Sequence, residues 1–195
     1  MSSADLLFEL GTEELPAREL VGMADNLLLK ITCGLKKHGL QFAATKSFAT
    51  PRRLAVWIQN VDLRGPDLSL EVPGPALSVA QENNGQWSQA AVGFARKHDT
   101  ALDDLLIIEN GQRIATKIIK KGADSSALIP GIVADSVASL PISRKMRWGK
   151  TRHEFLRPVQ WLVLIFGENV LPLELFGLNS GRKSRGHRHH RDVEV

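Results

Sequence analysis

Two apolar runs near the carboxyl end of the chain place the strongest constraint on its fold. They span residues 161–166 and 171–176 and are joined by Gly167-Glu168-Asn169-Val170. Short apolar runs bounded by turn residues are typical of buried strands, so we predict a hairpin of two neighbouring strands. Leu162, Val163 and Ile165 of the first strand are expected in the core. Such a hairpin would hold the segments that flank it close together in space.

Positively charged residues flank the predicted hairpin on both sides. A first basic segment, residues 144–152, precedes it, and a second basic segment, residues 182–188, follows it. Their nine lysines and arginines are Arg144, Lys145, Arg147, Lys150, Arg152, Arg182, Lys183, Arg185 and Arg188. Cations clustered on two loops that one hairpin holds together favour a polyanion-binding face.

The net charge of the chain comes entirely from its last quarter. Residues 144–195 carry 11 Lys and Arg against 5 Asp and Glu, a net charge of +6, and the remaining 14 against 16 give −2, which sums to the formal +4. Charge segregated in this way indicates a partner more strongly than the modest total does. A solvated basic surface that keeps the protein soluble is the alternative interpretation.

Composition restricts the class of protein. A chain of 195 residues with 43% hydrophobic content suits one sizeable domain, or one domain with a small second lobe. The single Cys33 excludes an internal disulfide framework, and its place in a predicted helix favours a small buried hydrophobe over a nucleophile. No apolar run reaches the roughly 18 residues needed to cross a membrane, and the first residues lack the features of a signal peptide. We therefore expect a cytoplasmic protein.

The first part of the chain predicts a strand, a turn and a helix. The strand covers residues 6–10, and Pro16 is expected in the first turn of the helix, where its missing N–H costs nothing. The helix presents one apolar face and ends at Gly39. That face consists of Leu20, Met23, Ala24, Leu27, Ile31 and Leu35.

Charged residues lie beside both predicted strands of this region. Glu13 and Glu14 are read either as an acid/base or metal pair or, as we favour, as carboxylates that stabilise the positive end of the helix. Arg52 and Arg53 follow Pro51 at the start of a strand predicted from the alternation over residues 54–58. Arginines mounted at the end of a strand suit phosphate or carboxylate ligands, and ion pairing with Glu13 or Glu14 is an equal alternative.

The middle of the chain predicts an inserted lobe. Turn formers are frequent over residues 64–87, a helix over 89–98 is capped by Ser88, and two β runs surround Asn110-Gly111 with a type I′ turn. We assign 74–122 to a helix-plus-hairpin lobe and 1–73 with 123–195 to the main domain. A second main helix runs over 125–140, before Pro141. The predicted class is α+β, with a largely antiparallel sheet packed with two main helices.

Motifs for chemistry are missing from the sequence. There is no GxxxxGK[ST], no GxGxxG after a strand and no GxSxG, so we predict no catalytic residue. The contiguous histidines of 187–190 lack the spacing of a zinc pair, and we predict no metal site. Trp148 is suited to stacking on an exposed base, although packing against the hairpin is the favoured alternative.

Six sequence blocks, taken together and in order, carry a family resemblance. They are FELGTEELP at 8–16, FATPRRLAVWIQNV at 48–61, VGFARKH at 92–98, LPISRKMRWG at 140–149, FLRPVQWLVLIFG at 155–167 and SRGHR at 184–188. The chain closely resembles the N-terminal region of the β subunit of bacterial heterotetrameric glycyl-tRNA synthetase. It departs from the family at His189-His190-Arg191, where an apolar residue is usual after GHR, and at Asp99, where the family tends to have Gly.

The resemblance implies part of an α₂β₂ class II aminoacyl-tRNA synthetase. In that family the α subunit holds the glycine and ATP site, where ATP and Mg are expected, and the β subunit supplies tRNA-binding domains. It implies that this chain is a fragment that binds no cofactor and is inactive alone, with the α subunit, tRNA(Gly) and a second β subunit as candidate partners and no membrane. A purely structural module with internally paired cations is the competing interpretation. The candidate RNA-binding residues are Arg52, Arg53, Lys145, Arg147, Trp148, Arg182, Lys183, Arg185, His187 and Arg188.

Overall fold

The structure is a computed structural model that describes residues 2–82, 85–108, 111–149 and 152–186. The predicted α+β class is confirmed, since antiparallel sheets combine with α-helices. The chain divides into two compact units, of which unit 1 comprises Met1–Gly65 with Ala123–Val195 and unit 2 comprises Pro66–Gly122.

Unit 1 is built from a five-stranded sheet, two long helices and several two-residue strands. Its elements in chain order are β1 (Ser3–Thr12), α1 (Leu20–Lys37), β2 (Thr45–Thr50), β3 (Arg53–Asp62), and, after unit 2, α4 (Ser125–Ala138), β7 (Met146–Arg147), β8 (Glu154–Phe155), β9 (Val159–Phe166), β10 (Asn169–Val170), β11 (Glu174–Leu175) and β12 (Leu178–Asn179). The sheet has the order β10-β9-β1-β3-β2, and every neighbouring pair is antiparallel.

Alternation along the sheet separates a core face from an opposite face. Leu6, Phe8 and Leu10 of β1 are fully buried and pair in register with Ile58, Val56 and Leu54 of β3. These residues form one cluster with the apolar sides of α1 and α4. Successive side chains of a strand point to opposite faces, so Glu9 and Gly11 lie on the other face of β1.

Local sequence explains where the two long helices begin and end. The buried residues of α1 are the six that the apolar spacing predicted. Gly39 follows α1 with φ 74°, and the amides of Gly39 and Leu40 donate to the carbonyls of Lys36 and Leu35, which satisfies the end of the helix. Asp124 caps α4 by accepting a hydrogen bond from the Ser126 amide at 2.8 Å.

The predicted carboxyl-terminal hairpin is correct in its first strand and wrong in its second. The run 161–166 lies within β9, but the chain turns at Gly167 (φ 58°), and the strand that returns along β9 consists of Asn169 and Val170 alone. The run 171–176 is not one strand, because only Glu174–Leu175 is extended and paired, and its partner is β12. Leu171 and Leu173 are nevertheless buried. The apolar residues of that run therefore belong to the core although the run is not a strand.

Ile165 was predicted to be a core residue, and this prediction is wrong. Leu162 and Val163 are each 2% exposed, but Ile165 is only half-buried. Ile165 lies opposite Leu7 of β1, on the face away from the cluster formed with the helices. A continuous apolar run conceals which of its members face the core, because period-two alternation is not visible in it.

Three further predictions in the first half of the chain are wrong. Pro16 lies outside α1, in a turn where the Glu19 amide donates to its carbonyl. The helix begins at Leu20 with no acidic residue in its first turn, so Glu13 and Glu14 do not stabilise its positive end. Cys33 is exposed on α1, because it falls between the apolar positions Ile31 and Leu35 on the outer side of the helix.

Unit 2 holds a three-stranded sheet with helices on it. Its elements are β4 (Leu68–Ala76), α2 (Leu77–Ala80), α3 (Gln89–Lys97), the 3₁₀ turn Leu102–Asp104, β5 (Leu106–Ile108) and β6 (Arg113–Lys120), and its sheet has the order β4-β6-β5. The unit begins at Pro66, earlier than position 74, because β4 pairs along β6. The predicted cap of α3 is confirmed, since the Ser88 hydroxyl accepts from the Ala90 amide at 3.2 Å. The predicted type I′ turn involves Asn110, outside the described residues.

Candidate nucleic-acid interface

A buried carboxylate organises the face of the sheet opposite the helices. Glu9 is 7% exposed, and its Oε1 atom accepts hydrogen bonds from Trp161 Nε1 at 2.5 Å and from Ser184 Oγ at 2.6 Å. The guanidinium of Arg53 lies within ion-pair distance, with Nε 3.3 Å from the same oxygen. A charge taken out of water is tolerated only when it is paired and hydrogen-bonded, and Glu9 meets both conditions.

Residues 181–185, which include most of the described part of the second basic segment, cross this face of the sheet. The amide of Gly181 donates to the Leu162 carbonyl at 2.9 Å in β9, Ser184 binds Glu9 in β1, and the backbone carbonyl of Arg185 accepts a hydrogen bond from Arg53 in β3. The contacts therefore reach β9, β1 and β3, which are neighbours in the sheet. Ala55 and Val163, which flank Glu9 in register, are buried outside the main cluster.

Trp161 has two arginines over its ring and packs against a glycine. Its ring is 5.8 Å from the Arg53 guanidinium carbon and 5.4 Å from that of Arg185, both within cation–π range. A Cβ atom on Gly11, its neighbour across β1, would fall 2.0 Å from the indole ring. Only glycine at this position lets the indole lie flat on the strand while its N–H reaches Glu9.

Arg52 occupies the adjacent corner of the sheet, where β2 turns into β3. Its guanidinium lies 3.5 Å from a Glu13 carboxylate oxygen, and Glu13 is more than a third exposed, so this ion pair is weak. Among the described residues, the buried polar side-chain atoms without a hydrogen-bond partner are Thr12 Oγ1, Arg52 Nε and Arg53 Nε. All three belong to this one corner. The alternative of ion pairing with Glu13 is confirmed for Arg52, whereas Arg53 pairs with Glu9.

Part of the first basic segment pairs with residues that follow it in the chain. Strands β7 and β8 pair, and Arg147 donates from Nε to the Glu154 carboxylate at 2.6 Å across that pair. Trp148 is half-buried and packs on Phe176, with ring centroids 5.8 Å apart. For Trp148, the structure thus shows the packing that the sequence analysis favoured over stacking on a base. A cleft of 390 Å³ beside this segment is lined in part by Lys145 and Arg152.

Phe176 holds an unusual backbone conformation beneath the first basic segment. Its φ is 58°, and with Gly177 (φ 76°) it makes the two-residue turn between β11 and β12. A bulky residue rarely adopts positive φ, and such strain persists only where the surroundings impose it. The Phe176 ring contacts the rings of Trp148, His153 and Phe155, and these contacts supply that constraint.

The ten predicted RNA-binding residues thus do not all lie in one site. The structure brings Arg53 and Arg185 together around Trp161, places Arg52 beside Glu13, and pairs Arg147 with Glu154. Lys145, Arg182, Lys183 and Arg185 are exposed, and Arg182 donates to the Glu168 carbonyl. His187 and Arg188, as well as Lys150 of the first basic segment, lie outside the described residues.

Sequence reasoning missed the residues that hold the second basic segment. Glu9, Trp161 and Ser184 were not singled out, nor was Arg157, which donates to the Glu14 carbonyl at 3.1 Å. One signal was present, because Glu9 is a charged residue inside the apolar strand LLFELG. A charge at a position with buried neighbours on both sides indicates a buried partner.

Within the described ranges, no three His, Cys, Asp or Glu side chains gather as they would around a metal ion. The helices described there include none that is long and apolar enough to span a membrane.

Comparison with known proteins places this arrangement in a family. A family model described as glycyl-tRNA synthetase beta subunit matches residues 6–195. The chain is 43% identical over its whole length to the glycine–tRNA ligase beta subunit of Stutzerimonas stutzeri (strain A1501), 42% to that of Pseudomonas aeruginosa (strain LESB58) and 40% to that of Pseudomonas entomophila (strain L48). It spans 28% of the length of each of these relatives. The chain therefore belongs to the glycyl-tRNA synthetase beta subunit family.

Proposed function

We propose that this chain is the N-terminal region of a glycine–tRNA ligase β subunit and that it helps to engage tRNA(Gly). The observation that carries the proposal is the second basic segment, in which Arg182, Lys183 and Arg185 are exposed while hydrogen bonds from Ser184 to Glu9 and from Arg53 to the Arg185 carbonyl hold the segment on the sheet. Exposed cations on a rigid support suit a phosphate backbone, because little conformational entropy is lost when they bind.

The chemical step is assigned to the other subunit in this proposal. Glycine activation by ATP and Mg would take place on the α subunit of an α₂β₂ class II synthetase in the cytoplasm, and the present chain would contribute to assembly. The family match and the lack of any nucleotide-binding motif in the sequence support this division.

A purely structural role is the second candidate, and specific contacts favour it. Arg52, Arg53 and Arg147 each lie beside a carboxylate of the same chain, at 3.5, 3.3 and 2.6 Å respectively. Arginines engaged in this way are less available to phosphates. We accordingly expect the RNA contacts to come from Arg185 and its exposed neighbours more than from these three.

Titration of tRNA(Gly) against the assembled synthetase at several salt concentrations tests the proposal. Each phosphate contact releases condensed counterions, so Arg185→Ala should weaken binding and lower the log–log salt slope by about one unit. Glycine activation without tRNA should be unchanged. Arg18→Ala, a change at an exposed arginine of unit 1 outside both basic segments, is the matched control.

The structural alternative makes a different prediction for the same variant. Arg185→Ala would then leave the salt slope of tRNA binding at the wild-type value and lower thermal stability or the yield of assembled synthetase instead. That result would remove Arg185 from the candidate RNA-binding residues.

A further inference from the structure

We infer that Glu9, Ser184, Trp161 and Arg53 form a latch that fixes the second basic segment on the sheet, and that tRNA affinity depends on this latch through Arg185. The inference rests on the proposed RNA-binding function and assigns these four as positioning residues. It also gives Arg53 a role other than the phosphate contact predicted from the sequence.

The position of Glu9 is one where an apolar residue would ordinarily be expected. It lies in the central strand between Ala55 and Val163, both buried, and is itself 7% exposed. A carboxylate there loses most of its hydration, and apolar replacements of buried ion pairs are often no less stable. The charge is therefore better explained by what it binds than by the stability of the sheet.

Among the described residues, the hydrogen bonds and the ion pair of the Glu9 side chain all lead to Ser184 or Arg185. Ser184 Oγ donates directly to the carboxylate, and Trp161 Nε1 donates to the same oxygen while its ring supports the Arg185 guanidinium. Arg53 lies beside that oxygen and donates to the Arg185 backbone carbonyl. These contacts hold Arg185 in three ways: through the adjacent Ser184, through its backbone carbonyl and through its guanidinium on Trp161.

This geometry leaves Arg185 suited to a phosphate. Its guanidinium carbon lies over the Trp161 ring, 5.4 Å from the centroid, and a guanidinium carries five N–H donors that suit two-point contact with phosphate oxygens. Arg185 is exposed, whereas Arg53 is half-buried. The two arginines on Trp161 thus have different tasks, with Arg53 holding the backbone and Arg185 presenting the charge.

The central experiment removes one donor of the latch in the assembled synthetase. Ser184→Ala deletes a hydrogen bond to a charged group, so tRNA affinity should fall by about tenfold. Deuterium exchange in a peptide covering residues 180–186 should rise, because the segment opens more often. Ser184→Thr keeps the hydroxyl and should restore both properties. Ser47→Ala removes another serine–carboxylate hydrogen bond of unit 1, to Asp25 at 2.7 Å, and should change neither.

A double-mutant cycle separates positioning from general destabilisation. If Ser184 acts through Arg185, then Ser184→Ala combined with Arg185→Ala should bind tRNA no more weakly than Arg185→Ala alone. Additive losses would overturn the inference, as would faster exchange without any loss of tRNA affinity. Trp161→Phe, which removes the indole N–H and keeps a ring, should reproduce the effect of Ser184→Ala on both readouts.

Failure of the proposed function has its own signature. Arg185→Ala with an unchanged salt slope would overturn RNA binding by this segment, whatever the exchange measurements give. An altered slope for Arg185→Ala together with wild-type affinity for Ser184→Ala would leave the proposed function standing and overturn the latch.

Discussion

Single residues of β9 have different surroundings depending on the face they occupy. Leu164 is fully buried within the cluster shared with α1 and α4, whereas its neighbour Ile165 is half-buried on the opposite face. The cost of removing a side chain depends on how much apolar contact it makes and on whether the site can collapse. Adjacent residues of similar volume on this strand therefore make a controlled pair.

Substituting these two residues tests the assignment of the faces. Leu164→Ala should lower the free energy of unfolding by about 2–5 kcal/mol, and Ile165→Ala by about half of that or less. Equilibrium urea unfolding of both variants beside the unaltered chain measures the difference. Equal decreases in the free energy of unfolding would contradict the assignment, because they would mean that both side chains make similar apolar contacts.

At the scale of elements, the ends of two helices depend on residues with positive φ. Gly39 ends α1, and Asp99 (φ 51°) takes the corresponding position after α3, where the amides of Asp99 and Thr100 donate to the carbonyls of Arg96 and Ala95. These two bonds are those of a Schellman motif. Asp99 is also the position at which the chain departs from the glycine that its resemblance implied.

The conformation at Asp99 predicts the outcome of two substitutions. Asp99→Gly should change the stability of unit 2 by no more than about 1 kcal/mol, because relief of the left-handed backbone is offset by chain entropy. Asp99→Val should lower it by about 1–2 kcal/mol, since a β-branched residue is strained there. Thermal unfolding followed by circular dichroism compares the two. A Val variant as stable as the Gly variant would show that α3 ends in another way.

At the scale of the whole molecule, unit 2 interrupts the sequence of unit 1 without interrupting its structure. The residues on either side of the insertion are adjacent, since the Gly65 amide donates to the Ala123 carbonyl at 2.9 Å and Arg64 bridges to Asp124. Insertions are tolerated where chain ends lie close together. The sheet and both long helices of unit 1 are therefore complete without residues 66–122.

The division of labour proposed for the synthetase is tested at this same scale. The purified 195-residue chain should show no glycine-dependent ATP–pyrophosphate exchange, because the proposal places the adenylate site on the α subunit. Exchange activity is measured with and without added α subunit, and a preparation of the assembled synthetase serves as the positive control. Exchange by the isolated chain above the blank would contradict the proposed role.

The sequence by itself determined the three longer helices α1, α3 and α4, the strands β1 and β3 and the α+β class, because those depend on local periodicity and capping. Neighbouring residues alone were enough to predict three features: the buried face of α1, the cap of α3 at Ser88 and the strand at 54–58. Only the tertiary structure decided which residues of a uniformly apolar run face the core, as Ile165 demonstrates. It also decided the environment of the basic residues, since the contact between Glu9 and Ser184 joins positions 175 residues apart. Local patterns contain no information about such pairings, which arise when the sheet brings distant segments to one face.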